Sequence, residues 1–197
     1  MNKLKQKLKK KVLFKGNWLS LEQILYLDKS EKERSWESVS RRYGKGAVLI
    51  IPLMKPSNQL VLIRQFRPPT GGYVIEFPAG LIDDGESPHD SVLRELREEC
   101  GLKGKIIRVT NQFFSSPGLS SETVAIALVY IDEKHKESFV NTDFDDSEDI
   151  ETFFVPFEDI PKFLAEREEK GDRVDAKLAT ASLFIELITS FNSKFFT

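Results

Sequence analysis

Residues 80–102 read GLIDDGESPHDSVLRELREECGL, and the rest of the chain is placed by what this stretch requires. Ser87 followed by Pro88 is a helix start, a hydroxyl cap ahead of a residue whose φ is already helical. Asp90 falls in the first turn, where the helix dipole favours an anion. Gly101 is the residue type that ends a helix in the left-handed conformation. The spacing therefore predicts a helix over 87–100, about four turns long at ~3.6 residues per turn.

Around that helix, at about 100° per residue, Glu95, Glu98 and Glu99 share one arc, and Val92, Leu93, Leu96 and Cys100 cover the adjoining one. The apolar arc can dock on a core while three carboxylates converge beside it. Like charges this close raise one another's pKa unless a cation intervenes. A hard, oxygen-liganded Mg²⁺ or Mn²⁺ suits such a cluster, and so do phosphate-bearing substrates. Taken alone, the glutamates also fit a solvated acidic face with Arg94 and Arg97 as pair partners.

The chain has 197 residues, 40% of them hydrophobic, enough for one full domain with elaboration. A formal charge of −2 and a pI near 5.8 argue against a general nucleic-acid binder. The lone Cys100 excludes an internal disulfide. With no signal-peptide pattern, a reducing cytoplasm is expected. Apolar runs such as Ala47–Met54 are too short to span a bilayer, so no membrane role is expected.

The lysine-rich opening MNKLKQKLKKK reads as a solvated, partly disordered tail. Val12–Lys15, Trp18–Leu27 and Arg34–Tyr43 are strand-like, broken at Gly16-Asn17 and Asp28–Lys32. In the third, Arg34, Trp36 and Ser38 face one way and Glu37, Val39 and Arg41 the other. Ala47–Met54 and Leu60–Phe66 have the apolar character of buried strands, and Tyr73–Phe77 is a short strand leading to Gly80. Lys105–Phe114, Glu122–Ile131 and Ile150–Val155 are further strands, while Pro156–Lys170 and Val174–Phe191 look helical. His89 reads as an exposed helix residue, His135 as a loop residue and Cys100 as packed; none is a candidate catalyst. Strands, one central helix and two C-terminal helices predict an α+β fold, an α/β/α sandwich on a mixed sheet. A small antiparallel β domain over 1–45 precedes the main domain over 46–197.

Gly80, Glu86, Arg94-Glu95-Leu96, Glu98-Glu99 and Gly101-Leu102 resemble, at every fixed position, the box that defines the Nudix hydrolases. The resemblance implies the same sandwich and hydrolysis of a nucleoside diphosphate linked to another group. It extends to GNWLSLE, SWESVSRR, QFRPPTGGYVIEFPAGLIDDGE and SPGLS, which look like the ADP-sugar or ADP-ribose pyrophosphatases. A subfamily proline lies sixteen residues past the box's closing glycine, and Pro117 stands there, since 101 + 16 = 117.

Carried over residue by residue, the resemblance implies Glu95 and Glu99 as metal ligands, with Glu98 beside them and the Ala79 carbonyl as a backbone ligand allowed by Gly80. It implies Mg²⁺, with Mn²⁺ as the alternative. Glu86 and Arg94 would orient the glutamates. Glu148, found by counting back from Pro156 through the acidic loop, would be a metal ligand or the general base; Glu98 and Glu99 are the other carboxylates placed in the chemistry. Trp18 and Trp36 match aromatics that sandwich adenine, one from each subunit of a swapped homodimer. Glu37, Arg41 and Arg67 match base and phosphate contacts, and Glu76 could hold the terminal ribose or orient the box. The expected reaction splits ADP-ribose into AMP and ribose 5-phosphate. The rivals are a broader nucleoside diphosphate sugar hydrolase, for example on GDP-mannose, and a non-catalytic nucleotide sensor.

Overall fold

The computed structural model describes residues 7–144 and 149–195, with side chains from 9 to 144 and from 149 to 189. Three antiparallel strands come first, β1 (Lys7–Lys15), β2 (Leu19–Leu27) and β3 (Glu33–Arg41), in sheet order β1-β2-β3. Their second turn is closed by Asp28, whose carboxylate accepts the backbone N–H of Ser30 and of Lys32 and the Arg34 guanidinium. The lysine-rich segment departs from expectation. From Lys7 onward it is strand, paired with β2 from Lys7–Tyr26 to Lys15–Ser20. One lysine, Lys10, pairs with the buried Glu22 of β2. Lysines on an edge strand also discourage unwanted pairing with another sheet.

The main body is a second, mixed sheet. Its strands are β4 (Ala47–Lys55), β5 (Gln59–Arg67), β6 (Gly72–Glu76), β7 (Ala79–Leu81), β8 (Lys105–Val109), β9 (Phe113–Phe114), β10 (Thr123–Asp132), β11 (Ile150–Pro156) and β12 (Arg173–Val174). The path runs β12-β6-β5-β4-β10-β8, with β11 on β5, β7 on β4 and β9 on β10. β4 runs parallel to β10 from Ala47–Val124 to Lys55–Asp132, and β12 runs parallel to β6 through Arg173–Val74 and Val174–Ile75. Thr110 splits the single strand expected over 105–114, because its hydroxyl takes the N–H of Ile126 at 2.9 Å and interrupts the ladder.

Side-chain alternation makes two cores. Val48, Ile50, Val61 and Ile63 pack under α1 (Pro88–Cys100) with Val92, Leu96 and Cys100. Leu49, Leu60, Leu62 and Ile75 face the other way, against α2 (Ile160–Glu169) and α3 (Ala176–Phe195) through Ile160, Leu164, Leu178 and Ile185. Helices cover both faces, as expected of an α/β/α sandwich. Each fully buried aliphatic side chain here stabilises the fold by about 1.5–3 kcal/mol. Leu93 is a correction: it is 45% exposed and lies outside the core. Two C-terminal boundaries also shift. Phe157–Asp159 is a 3₁₀ turn ahead of α2, and Val174 is in β12 because it pairs with Ile75.

One topological detail positions the site. β4 and β5 share a single registered pair, Leu53–Leu60, and then part. The Ala47–Leu49 end of β4 goes to β7, and the far end of β5 goes to β6. A cleft opens where they diverge.

Candidate active site

α1 forms as its sequence dictates. Ser87 caps it by accepting the Asp90 N–H at 3.2 Å, and Gly101 ends it at φ 62° with its N–H on Arg97 O at 2.9 Å. Glu95 and Glu99, one turn apart, are only 8% and 2% exposed. Burial of two carboxylates is costly unless each is hydrogen-bonded. Glu99 Oε2 accepts the Ala79 N–H at 3.0 Å, which ties α1 to β7. Glu95 Oε1 accepts from Arg94 at 2.7 Å.

Arg94 is the hub of this face. Its Nε and one terminal nitrogen grip both oxygens of Glu86, each at 3.0 Å. The remaining donors reach Glu95, Glu98 at 3.1 Å and the Leu81 carbonyl at 2.9 Å. The Arg94 guanidinium, the Ser91 hydroxyl and the Asp83 N–H hold the Glu86 carboxyl down to about 2, from an ordinary 4.5. The same bonds, Glu86 first, push Arg94 up. Glu98 is engaged on both oxygens, by Arg94 and by Arg97. Gly80 lies so close to the Glu95 carboxylate that a Cβ there would collide with it. Only glycine allows this approach.

Gly80, Arg94, Glu95, Glu98 and Glu99 line a cleft of about 690 Å³ together with Arg41, Arg67, Glu76, Ala79 and Leu81. On the cleft wall formed by β5 and β6, Arg67 Nε donates to Glu76 Oε1 at 2.8 Å. Burial pushes the Glu76 carboxyl up, and Arg67 only partly offsets it. Burial also works against the charge on Arg67, but its bond to Glu76 raises it overall.

The donor set suits a divalent cation. Two buried carboxylates of α1 and the adjacent backbone offer hard oxygens only, and Gly80 brings the backbone close against the Glu95 carboxylate. Among the described residues no group of three His, Cys, Asp or Glu side chains is placed to hold a metal ion by side chains alone. Arg94 balances Glu95 and Glu98 here.

Of the residues singled out in the sequence, Glu95, Glu98, Glu99, Ala79, Gly80, Arg94, Arg41, Arg67 and Glu76 meet in this cleft. Glu86 acts behind Arg94. Glu148 lies outside the described residues. Trp18, Trp36 and Glu37 lie outside the cleft lining. Trp18 is 74% exposed with its ring edge-on to Tyr43, and Trp36 is 51% exposed with its indole N–H on Gly118 O at 3.0 Å. Pro117 occupies the turn that presents this carbonyl, closed by Leu119 N on Ser116 O at 3.0 Å. Trp36 lies in β3 of the smaller sheet and Trp18 in the bend leading into β2, and neither lines the cleft of the same chain, although Arg41 at the end of β3 does.

Sequence reasoning missed Gln65, Ser115, Ser116, Glu122, Asp175 and Lys177, all of which line the cleft. Gln65 had a signal, a polar residue on the apolar strand β5; it is 7% exposed and its Oε1 accepts no hydrogen bond among the described residues. Asp175 and Lys177 had none, since they arrive only because β12 pairs with β6, with Asp175 N on Ile75 O at 3.0 Å.

Among known proteins, the chain is similar to the ADP-ribose pyrophosphatase of Saccharomyces cerevisiae, 33% identical over 186 residues, covering 90% of this chain and 80% of the yeast protein. It is 40% identical to the ADP-sugar pyrophosphatase of Mus musculus over 127 residues, 61% of this chain and 58% of the mouse protein. A solved structure described as an ADP compounds hydrolase superposes with a TM-score of 0.68 at 20% identity, over 95% of both chains, which supports the fold. No helix among the described residues is long and apolar enough to cross a membrane. The NUDIX domain model matches residues 45–176, which take in the whole cleft-bearing sheet from β4 to β12 together with α1, and the chain therefore belongs to the Nudix family.

Proposed function

We propose that this protein hydrolyses ADP-ribose and related ADP-sugars at the diphosphate, releasing AMP and a sugar phosphate. The observation that carries the reading is the pairing, in one cleft, of the buried carboxylates Glu95 and Glu99 with the arginines Arg41 and Arg67. Such a cleft offers a place for a hard cation beside a place for phosphate oxygens. The similarity to the yeast and mouse proteins supplies the nucleotide-sugar class.

In this proposal Glu95, Glu99 and the Ala79 carbonyl hold Mg²⁺, or Mn²⁺ in its place. When bound, such an ion supplies Lewis-acid stabilisation of charge on the phosphorus oxygens and acidifies water. Arg41 and Arg67 hold the diphosphate. Glu86 fixes Arg94, and Arg94 in turn fixes Glu95 and Glu98. Water adds its oxygen to one phosphorus, and the P–O bond to the bridging oxygen breaks. The proton released by the water passes to a carboxylate. Glu148 is preferred for that role, since both oxygens of Glu98 are engaged by arginines. Glu76 stands with Arg67 at the sugar side.

Residues 1–45 are proposed to form a dimerisation and base-binding unit. The exposed rings of Trp18 and Trp36, with Glu37, would stack and contact the adenine at a cleft completed by a second subunit. Two exposed tryptophans outside their own chain's cleft support this arrangement.

Steady-state hydrolysis of ADP-ribose, ADP-glucose, GDP-mannose and UDP-glucose with Mg²⁺ tests the proposal, with products identified. AMP released fastest from ADP-ribose is the expected result. Equal or faster turnover of GDP- or UDP-sugars overturns the adenine assignment and leaves a broader nucleotide-sugar hydrolase. Binding of these compounds without turnover overturns the enzyme reading in favour of a sensor.

A further inference from the structure

We infer that Glu122 is a positioning residue for substrate binding, acting through Arg41. This rests on the reading of Arg41 as a diphosphate contact. Arg41 ends β3 in the smaller sheet, and Glu122 precedes β10 in the main body. The Glu122 carboxylate bridges the two. Its Oε1 accepts from Arg41 Nε, and its Oε2 accepts the Ser115 hydroxyl at 3.2 Å. The backbone of Glu122 is fixed as well, its N–H donating to Ser120 Oγ at 3.3 Å. Arg41, Ser115 and Glu122 all line the cleft.

The side of the guanidinium that is used matters. Glu122 takes Nε, so among the described residues the two terminal nitrogens of Arg41 are left for another partner, and the side chain is 45% exposed. Arg67 is held in the same way, its Nε on Glu76 Oε1 at 2.8 Å. Two arginines, each gripped at Nε by a carboxylate of the main body, thus line one cleft. A terminal pair of N–H groups is the part of the fork that matches phosphate oxygens.

The segment that carries Glu122 is itself fastened to β3. Val39 N donates to Leu119 O at 2.9 Å, Trp36 Nε1 to Gly118 O at 3.0 Å, and Val39 and Ser120 form a parallel bridge. The 115–122 segment therefore registers the smaller sheet against the cleft, and the Arg41–Glu122 pair is the point where that register reaches the substrate. With one oxygen on arginine and the other on serine, Glu122 takes no part in the chemistry. Its effect is to hold a long, flexible side chain, which otherwise loses rotamer freedom on binding, in one direction.

The test uses the full chain and four variants, Arg41→Ala, Glu122→Leu, Glu122→Gln and the Arg41→Ala/Glu122→Leu double. For each, kcat and KM are measured on ADP-ribose with Mg²⁺. Kd for ADP-ribose is also measured by calorimetry in EDTA, which reads binding even without turnover. Arg41→Ala is expected to weaken binding about 10-fold or more, the range of a charge-assisted hydrogen bond. Glu122→Leu should raise KM and Kd by about 3–10-fold with kcat nearly unchanged, and Glu122→Gln, which keeps an acceptor, should recover most of that loss. The double variant should match Arg41→Ala, because the two residues act as one unit. Multiplying losses in the double, a fall in kcat alone, or tighter binding by Glu122→Leu would each overturn the inference. No effect of Arg41→Ala would instead remove the phosphate role of Arg41 on which the inference rests. Thermal unfolding of each variant, expected to stay close to wild type, separates positioning from loss of fold.

Discussion

Glu99 on α1 is 2% exposed, whereas Trp18, proposed for the same site, is 74% exposed. The first half of the site is finished within one chain. Glu95 and Glu99 are buried and hydrogen-bonded, Glu95 by Arg94 and Glu99 by the Ala79 N–H. The second half is an aromatic surface still in water. Burial of charge demands local compensation at once, and a 23-residue stretch from Gly80 to Leu102 supplies most of it. An aromatic stacking surface makes no such demand, and it gains its energy only when a base arrives. The chain thus pre-organises its electrostatics, while the tryptophans proposed to stack on the base stay exposed.

The largest effect expected from breaking the finished half is on Glu99. Glu99→Gln should reduce turnover of ADP-ribose by more than about 100-fold, beyond the loss typical of groups that only support a metal ligand, while circular dichroism and Tm stay near wild type. Activity within a few-fold of wild type would remove Glu99 from the metal site. Gly80→Ala comes next. Its new Cβ would meet the Glu95 carboxylate, so a loss of about 10–100-fold in kcat/KM, with a lowered Tm, is expected from kinetics and calorimetry together.

The open half should respond differently. Trp18→Ala and Trp36→Ala should each raise KM by about 5–150-fold, the equivalent of ~1–3 kcal/mol of stacking, with kcat little changed. If a second subunit completes the stack, specific activity should also fall on dilution, which sedimentation at the same concentrations can match to dissociation. Unchanged KM in both variants would make the tryptophans ordinary surface residues.

The smallest effects sharpen the contrast between two carboxylates, Glu76 on the cleft wall and Glu86 behind Arg94. Glu86 titrates near 2 instead of 4.5, so its ionised form is favoured by folding. The stability it contributes is present above pH 4.5 and is lost as pH falls toward 2. Glu76 is shifted upward, mainly by burial, so its ionised form is disfavoured by folding. Its contribution is favourable below about pH 4.5 and declines as pH rises. Urea unfolding from pH 2.5 to 7 should therefore show Glu86→Gln losing ground to wild type as pH rises from 2.5, and Glu76→Gln gaining on wild type above pH 4.5. Slopes of the same sign would contradict the opposing environments of the two groups.

The helix from Pro88 to Cys100 was legible to within a residue, because its cap, first turn and terminating glycine are all local signals. The central strands were legible for the same reason, as short apolar runs. Leu93 was not, since an arc on a helical wheel is wider than the face that docks, and only packing shows where the face ends. The lysines from Lys7 onward read as tail, because a charged edge strand carries no apolar signal until its partner β2 is in place. The same limit hid Glu122. As the first polar residue of a strand it looks unremarkable, and its meaning comes from an arginine 81 positions earlier in the chain.

What the sequence determined by itself is the family, the helix that carries Glu95, Glu98 and Glu99, and the chemistry those carboxylates suit. Periodicity, capping and charge spacing are properties of neighbours along the chain, and they survive without a fold. Tertiary structure alone decided that Arg41 and Arg67 are each held at Nε by a carboxylate from elsewhere in the chain, Glu122 ahead of β10 and Glu76 in β6. It also decided that Trp18 and Trp36 lie outside the cleft of their own chain. These outcomes depend on where β4 and β5 part and how the smaller sheet docks on the 115–122 segment. Such long-range register is set by packing across the whole sheet, and no local stretch of sequence encodes it.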